Sequence, residues 1–123
     1  MVEAHSAYLV THGDMPGFSI EDQRVLAALL LGQRRKFPAD ALASLPAERR
    51  ESTARLCVLL RLSVSLNRSR SPIATPRLTL RARAEGLDVV FPRGWLDHHP
   101  LTHADLLEDA ERLAPHGFAL HLR

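Results

Sequence analysis

The sequence predicts an α+β protein, helical first and then β-β-α-β, and three observations carry that reading. Up to Leu66, apolar residues recur at steps of three and four, the spacing of one helix face. Beyond Pro72 and Pro76 the period drops to two, the alternation of a strand. Helical spacing then returns from Pro100, and alternation closes the chain over 118–122. Helices gathered ahead of a mixed unit argue for α+β, with a boundary near Ser71. The expected parts are a helical portion over 1–71 and a small α/β unit over 72–123.

The elements follow in order. Residues 3–12 read as helix, with Ala4, Ala7, Tyr8 and Leu9 near one face and Gly13 as C-cap. No N-cap precedes it, as if the helix were entered partway, which is the expectation for a truncated chain. Met15-Pro16-Gly17-Phe18 is a turn. Ser19 caps the next helix, and Ser19-x-x-Asp22 is a loose capping box. Val25, Leu26, Leu29 and Leu30 supply its apolar stripe. Gly32, the run Arg34-Arg35-Lys36 and Pro38 end it. A short helical piece spans 39–44, and Pro46 opens a longer helix. Leu56, Leu59, Leu60, Ser63, Val64 and Leu66 predict the face of that helix turned to the core. Leu78, Leu80 and Ala82 alternate with Arg77, Thr79, Arg81 and Arg83, a half-buried strand with a basic outer face. Glu85-Gly86 turns into a second strand through Leu87, Val89 and Phe91, completing a hairpin. Leu101, Ala104, Leu107 and Leu113 predict a helix over 100–114, and 118–122 a last strand.

At 123 residues, 46% hydrophobic and 24% charged, the chain suits one ordinary domain or two very small ones. Its longest apolar run, 25–31, is far short of the roughly 20 residues that cross a bilayer. Cys57 is the sole cysteine, so no internal disulfide forms, and its apolar surroundings predict a buried thiol. A cytoplasmic protein is expected.

The net charge is +2 and Lys36 is the only lysine, so arginine carries the basicity. Arginine dominance fits bidentate phosphate recognition, and it equally fits a GC-rich genome. The clustering is more specific. Arg34, Arg35 and Lys36 sit together at a helix end, while Arg61, Arg68 and Arg70 line a second helix. These six are the candidate polyphosphate-binding residues, because guanidinium forks match phosphate oxygens. The alternative is dispersed arginine paired with acids such as Glu48 and Glu51. Aromatics make up only 5% of the chain, which leaves few stacking platforms and argues against nucleic acid.

His98, His99 and His103 invite a metal reading, but Pro100 interrupts the helical spacing and no thiol or carboxylate stands at ligand spacing. His5 and His12 share a helix face without an acidic partner between them. Asp105, Glu108, Asp109 and Glu111 fall on the outer side of an amphipathic helix, as a solvated face does. No glycine-rich phosphate loop, Gly-x-Ser-x-Gly, Cys-x-x-Cys or His-Glu-x-x-His is present. The residues therefore predict neither a catalytic site nor a metal or cofactor site.

Several stretches, taken as a set and in order, resemble the exopolyphosphatase / guanosine pentaphosphate phosphatase family. They are His5-Ser6-Ala7-Tyr8-Leu9-Val10, Met15-Pro16-Gly17-Phe18-Ser19, Glu21-Asp22-Gln23-Arg24, Leu59-Leu60-Arg61-Leu62 and Leu66-Asn67-Arg68-Ser69. The closing Leu78-Thr79-Leu80, Val90-Phe91-Pro92, Trp95, Leu101, Asp105-Leu106 and Glu108 continue the match. The resemblance implies a region behind an actin-like catalytic domain that holds the phosphate loop, the base and Mg2+. It implies the later part of an HD-like helical domain followed by a small cap, and none of the family's catalytic residues has a counterpart here. Where many members read Ala-Asp-x-Leu-Asp-Arg, this chain reads Ser63-Val64-Ser65-Leu66-Asn67-Arg68, so two acids are lost. The family role of this region is to guide polyphosphate and hold dimer contacts. The expected partners are thus polyphosphate, the catalytic domain and a second copy of the chain. The alternative is a purely structural packing or dimerisation module.

Overall fold

The computed structural model describes residues 2–33, 36–67 and 76–123. Its order is α1 (Val2–His12), α2 (Ile20–Leu31), α3 (Ala39–Ala43), α4 (Ala47–Asn67), β1 (Thr79–Arg83), β2 (Gly86–Val90), α5 (Trp95–His98), α6 (Pro100–Leu113) and β3 (Ala119–Leu122). Helices precede strands, as the change of period predicts. The chain forms two compact units, Met1–Arg61 and Leu62–Arg123, and α4 runs from the first into the second.

In the first unit, the junction of α1 and α2 is closed by backbone and side-chain hydrogen bonds that satisfy helix ends. Gly13 donates to the Leu9 carbonyl at 2.7 Å, and a Cβ there would sit 2.5 Å from that oxygen. Gln23 is buried and its amide donates to the carbonyls of Val10 (2.9 Å) and Gly13 (2.8 Å). It therefore supplies partners that the end of a helix lacks. Gly17 takes a φ of 86°, which glycine adopts without strain, to turn the chain into α2. The capping box at Ser19 is formed: Asp22 N donates to Ser19 Oγ at 3.0 Å, and Ser19 N donates to Asp22 Oδ2 at 3.4 Å.

Helices α2 and α4 run side by side in the same direction, joined through α3. Three contacts at successive levels fix this. Arg49 bridges Glu21 (3.1 Å) and Asp22 (3.0 Å) at the start of α2. Cys57 Sγ meets the Ala28 carbonyl at 3.7 Å midway, and Arg61 Nη1 donates to the Gly32 carbonyl at 2.8 Å at the end. The crossing is made of small residues: a Cβ on Gly32 would lie 2.8 Å from Cys57 Sγ. Ala28, Cys57, Val58 and Leu45 are the driest positions of this core.

That crossing corrects the expected core face of α4. Its buried residues are Thr53, Cys57, Val58, Arg61, Leu62 and Ser65. Leu56, Leu59, Leu60 and Val64 are 47%, 36%, 41% and 44% exposed. The helical period was legible but the phase was not. The buried face carries Thr53, Cys57 and Val58 where the other carries leucines, and these smaller side chains allow the closer approach to α2, so dispersion contacts favour it.

In the second unit, β2 is the central strand, antiparallel to β1 and parallel to β3. The register aligns Arg81, Asp88 and His121 in one row and Leu80, Val89 and Leu122 in the next. Leu87, Val89, Phe91, Leu106, Leu113 and Leu120 form the core. Gly86 is required where it stands, because a Cβ would collide with the Ala119 backbone carbonyl. β1 is more open than its alternation predicts: all five residues are exposed, with Leu80 at 46%. It is an edge strand, and its two arginines blunt the free edge as charged edge residues do. The four-residue α5, opened by Gly94 at φ 78°, is a single turn and so carries no period by which a sequence discloses a helix.

Candidate functional site

The structure distributes the six predicted phosphate-binding residues unequally. Lys36 is exposed just beyond α2 and makes no ion pair among the described residues. Arg61 is buried at 6% exposure, its guanidinium tying α4 to the Gly32 carbonyl at the C-cap of α2. Arg34, Arg35, Arg68 and Arg70 lie outside the described residues.

A second basic surface sits on the sheet. Arg81 and Arg83 alternate on one face of β1, and His121 and Arg123 continue that face at β3. Arg77, two residues before the strand, is exposed, as is Arg81, and neither has an ionic partner among the described residues. Between the two edges lies Asp88, only 2% exposed. Arg83 donates to its Oδ2 from Nε (2.8 Å) and Nη2 (2.6 Å), and Arg123 Nε lies at 4.0 Å. Arg83's hydrogen bonds hold the Asp88 carboxyl below the usual carboxylate range, and the charges of Arg83, Arg123 and His121 add to this against the opposing effect of burial. One carboxylate thus orders the arginines while leaving the face positive. Sequence alternation pointed to Arg77, Arg81 and Arg83 but missed Asp88, His121 and Arg123. Their row forms by parallel pairing across an intervening helix, which no local period records.

The second unit also carries an aromatic stack. Phe91 and Trp95 lie 5.2 Å apart, and Trp95 and His99 3.9 Å apart with planes 13° from parallel. His98 Nδ1 lies 2.6 Å from the Gly94 carbonyl and His99 Nδ1 2.8 Å from the Trp95 carbonyl. A carbonyl only accepts, so each Nδ1 carries the proton and each Nε2 is the remaining polar edge. Among the described residues, no three His, Cys, Asp or Glu side chains gather as metal ligands. Cys57 is fully buried, and burial pushes its thiol up to about 11. It is a packing residue rather than a nucleophile. Among the described residues no helix is long and apolar enough to cross a membrane.

Comparison with known proteins adds the lineage. Residues 1–110 match the family model described as Ppx/GppA phosphatase, domain III. Two similar proteins are each named guanosine-5'-triphosphate,3'-diphosphate pyrophosphatase, one from Aeromonas salmonicida and one from Aeromonas hydrophila. Each is 35% identical over 118 residues, which is 96% of this chain. The chain spans 24% of the length of each of these relatives.

Proposed function

The chain belongs to the Ppx/GppA phosphatase family, and from that premise we propose that it is an accessory C-terminal region of a phosphoanhydride hydrolase. In this reading it guides polyphosphate and supports dimerisation in the cytoplasm, with no catalytic site of its own. The relatives are named for a guanosine pentaphosphate substrate, so the parent reaction is hydrolysis of that nucleotide, of polyphosphate or of both. Base and magnesium chemistry then belong to the remainder of such a protein.

The observation that carries the polyanion role is that exposed Arg81 on β1 and exposed Arg77 just before it have no ionic partner among the described residues, beside a sheet face kept positive around Asp88. Exposed guanidiniums hold a phosphate chain by Coulomb attraction and paired N–H donors, without fixing one register. Lys36 extends the same chemistry on the first unit, with Arg34, Arg35, Arg68 and Arg70 as the further contacts expected from sequence. Arg61 belongs to this set as expected from sequence, and its guanidinium is the buried anchor between α4 and the Gly32 carbonyl.

Dimerisation is supported by α4. Leu56, Leu59, Leu60 and Val64 form an exposed stripe at helical spacing, and a second copy of the chain offers the same stripe in return. Titration with long-chain polyphosphate at two salt concentrations tests the polyanion role. Salt-sensitive binding that weakens in an Arg77→Glu/Arg81→Glu variant supports it. No binding at either salt leaves a packing module alone.

A further inference from the structure

At the end of its sheet, the second unit holds a cleft with a volume of about 360 Å³, within the range of small-molecule sites. Phe91, Leu96 and Leu122 give it an apolar lining, and Arg93, Asp97 and Arg123 a charged one. These residues come from three places: the end of β2, the turn and helix α5 that follow it, and the end of β3.

Backbone hydrogen bonds fix each charged position. Trp95 N donates to the Pro92 carbonyl at 3.0 Å, closing the turn that carries Arg93. His98 N donates to the Gly94 carbonyl at 3.2 Å, closing the helical turn that carries Asp97. Arg123 N donates to the Val89 carbonyl at 2.9 Å, and the Arg123 carbonyl accepts from Phe91 N at 2.8 Å. Phe91 is buried and stacks on Trp95, so the apolar lining is continuous with the core of this unit.

The charges of the cleft do not neutralise one another. Arg93 and Asp97 line the same space four residues apart, yet neither makes an ion pair among the described residues. Arg123 approaches Asp88 only to 4.0 Å and stays exposed, so N–H donors remain on its guanidinium. Cations, an anion and an apolar surface thus share one small cavity. An inorganic anion complements the arginines alone and is repelled by Asp97. An uncharged apolar molecule takes water from the charged groups and returns no partner to them. A small zwitterion with an apolar body complements all three parts.

We propose that this cleft binds an apolar α-amino acid. Its carboxylate is held by Arg93 and Arg123, whose guanidinium forks match it. Its ammonium donates to Asp97, and its side chain rests against Phe91, Leu96 and Leu122. The site goes beyond the polyphosphate role and does not depend on it.

The test titrates the whole chain with L-leucine by calorimetry. The comparison probes are 3-methylbutylamine, which lacks the carboxylate, 4-methylpentanoate, which lacks the ammonium, and L-glutamate, whose side chain is charged. Leucine is expected to bind with a Kd of about 1 mM or tighter, and each comparison probe about ten-fold more weakly. Leucine also shifts the amide resonances of Gly94, Leu96 and Arg123. Arg93→Gln and Asp97→Asn, both at exposed positions, each weaken leucine about ten-fold, the loss of one charge-assisted hydrogen bond, while the thermal melt is unchanged. The Arg77→Glu/Arg81→Glu variant keeps leucine binding whether or not it loses long-chain polyphosphate, which separates this site from the polyanion role. Binding of 4-methylpentanoate as tight as that of leucine makes the cleft a plain anion site and overturns the proposal. So does an absence of leucine binding up to about 10 mM, or unchanged affinity in Arg93→Gln and Asp97→Asn.

Discussion

Replacing Gly32 by alanine tests the helix crossing that sets the phase of α4. Gly32 has φ −64° and ψ −11°, so alanine fits the backbone. On conformational grounds the change gains about 0.5–1 kcal/mol. The new Cβ, however, would meet Cys57 Sγ at 2.8 Å and Cys57 Cβ and the Ala28 carbonyl at 3.2 Å. Neither neighbour is the loose end of a long side chain, so α2 and α4 must separate slightly, an overpacking cost of about 1–3 kcal/mol. The net expectation for Gly32→Ala is a loss of about 1 kcal/mol. Cys57→Ala removes the clashing sulfur, and in that background Gly32→Ala stabilises by about 0.5 kcal/mol. The coupling between the two sites is then about 1.5 kcal/mol, well above the few tenths seen for independent sites. Urea unfolding of the two single variants, the double variant and the parent measures it. If Gly32→Ala stabilises equally with and without Cys57, the two helices do not meet at this point and the account of α4 fails.

Three further expectations follow from the same geometry. Leu56 and Leu60 are 47% and 41% exposed. At about 2 kcal/mol per fully buried leucine, losing both from each side of a symmetric dimer costs about 3.5 kcal/mol, a few hundred-fold in dissociation constant. Leu56→Lys/Leu60→Lys should therefore shift sedimentation velocity to monomer while the thermal melt stays cooperative and no longer depends on protein concentration, and an unaltered dimer would rule out this face. The depressed carboxyl of Asp88 stabilises the fold above the ordinary carboxylate range, and that contribution is lost as pH falls through its lowered folded value. Asp88→Asn should flatten this part of the acid limb in pH-dependent melts, leaving the share due to Asp22, which Arg49 depresses likewise. Cys57 shows the opposite sign: its thiol is raised from 9.0 to about 11, so stability falls as pH rises across that interval, and alkylation of the native thiol should be far slower than in urea.

What the sequence discloses here depends on the range of the interaction concerned. Ser19 and Asp22, three residues apart, specify their capping box locally, and the structure forms it. The hairpin through Glu85-Gly86 and the helix after Pro100 are equally local and were legible. The phase of α4 was not, because its more apolar leucine stripe is the exposed one and the choice rests on Ala28 and Gly32, which lie in and at the end of another helix. Arg61 illustrates the same limit: as a letter it is one more cation, yet its burial and its bond to Gly32 make it an anchor. The row Arg81, Asp88 and His121 needs the pairing of β2 with β3, separated in sequence by α5 and α6. Arg93 and Asp97 are near neighbours in the sequence, but Arg123 joins their cleft only through that same pairing.

The central claim is that this region holds polyphosphate through exposed arginines, and calorimetric titration with long-chain polyphosphate at low and high salt tests it most directly. The account predicts binding that weakens steeply with salt and is largely lost on reversing Arg77 and Arg81. Binding that ignores both salt and the reversal, or no binding at all, would contradict it.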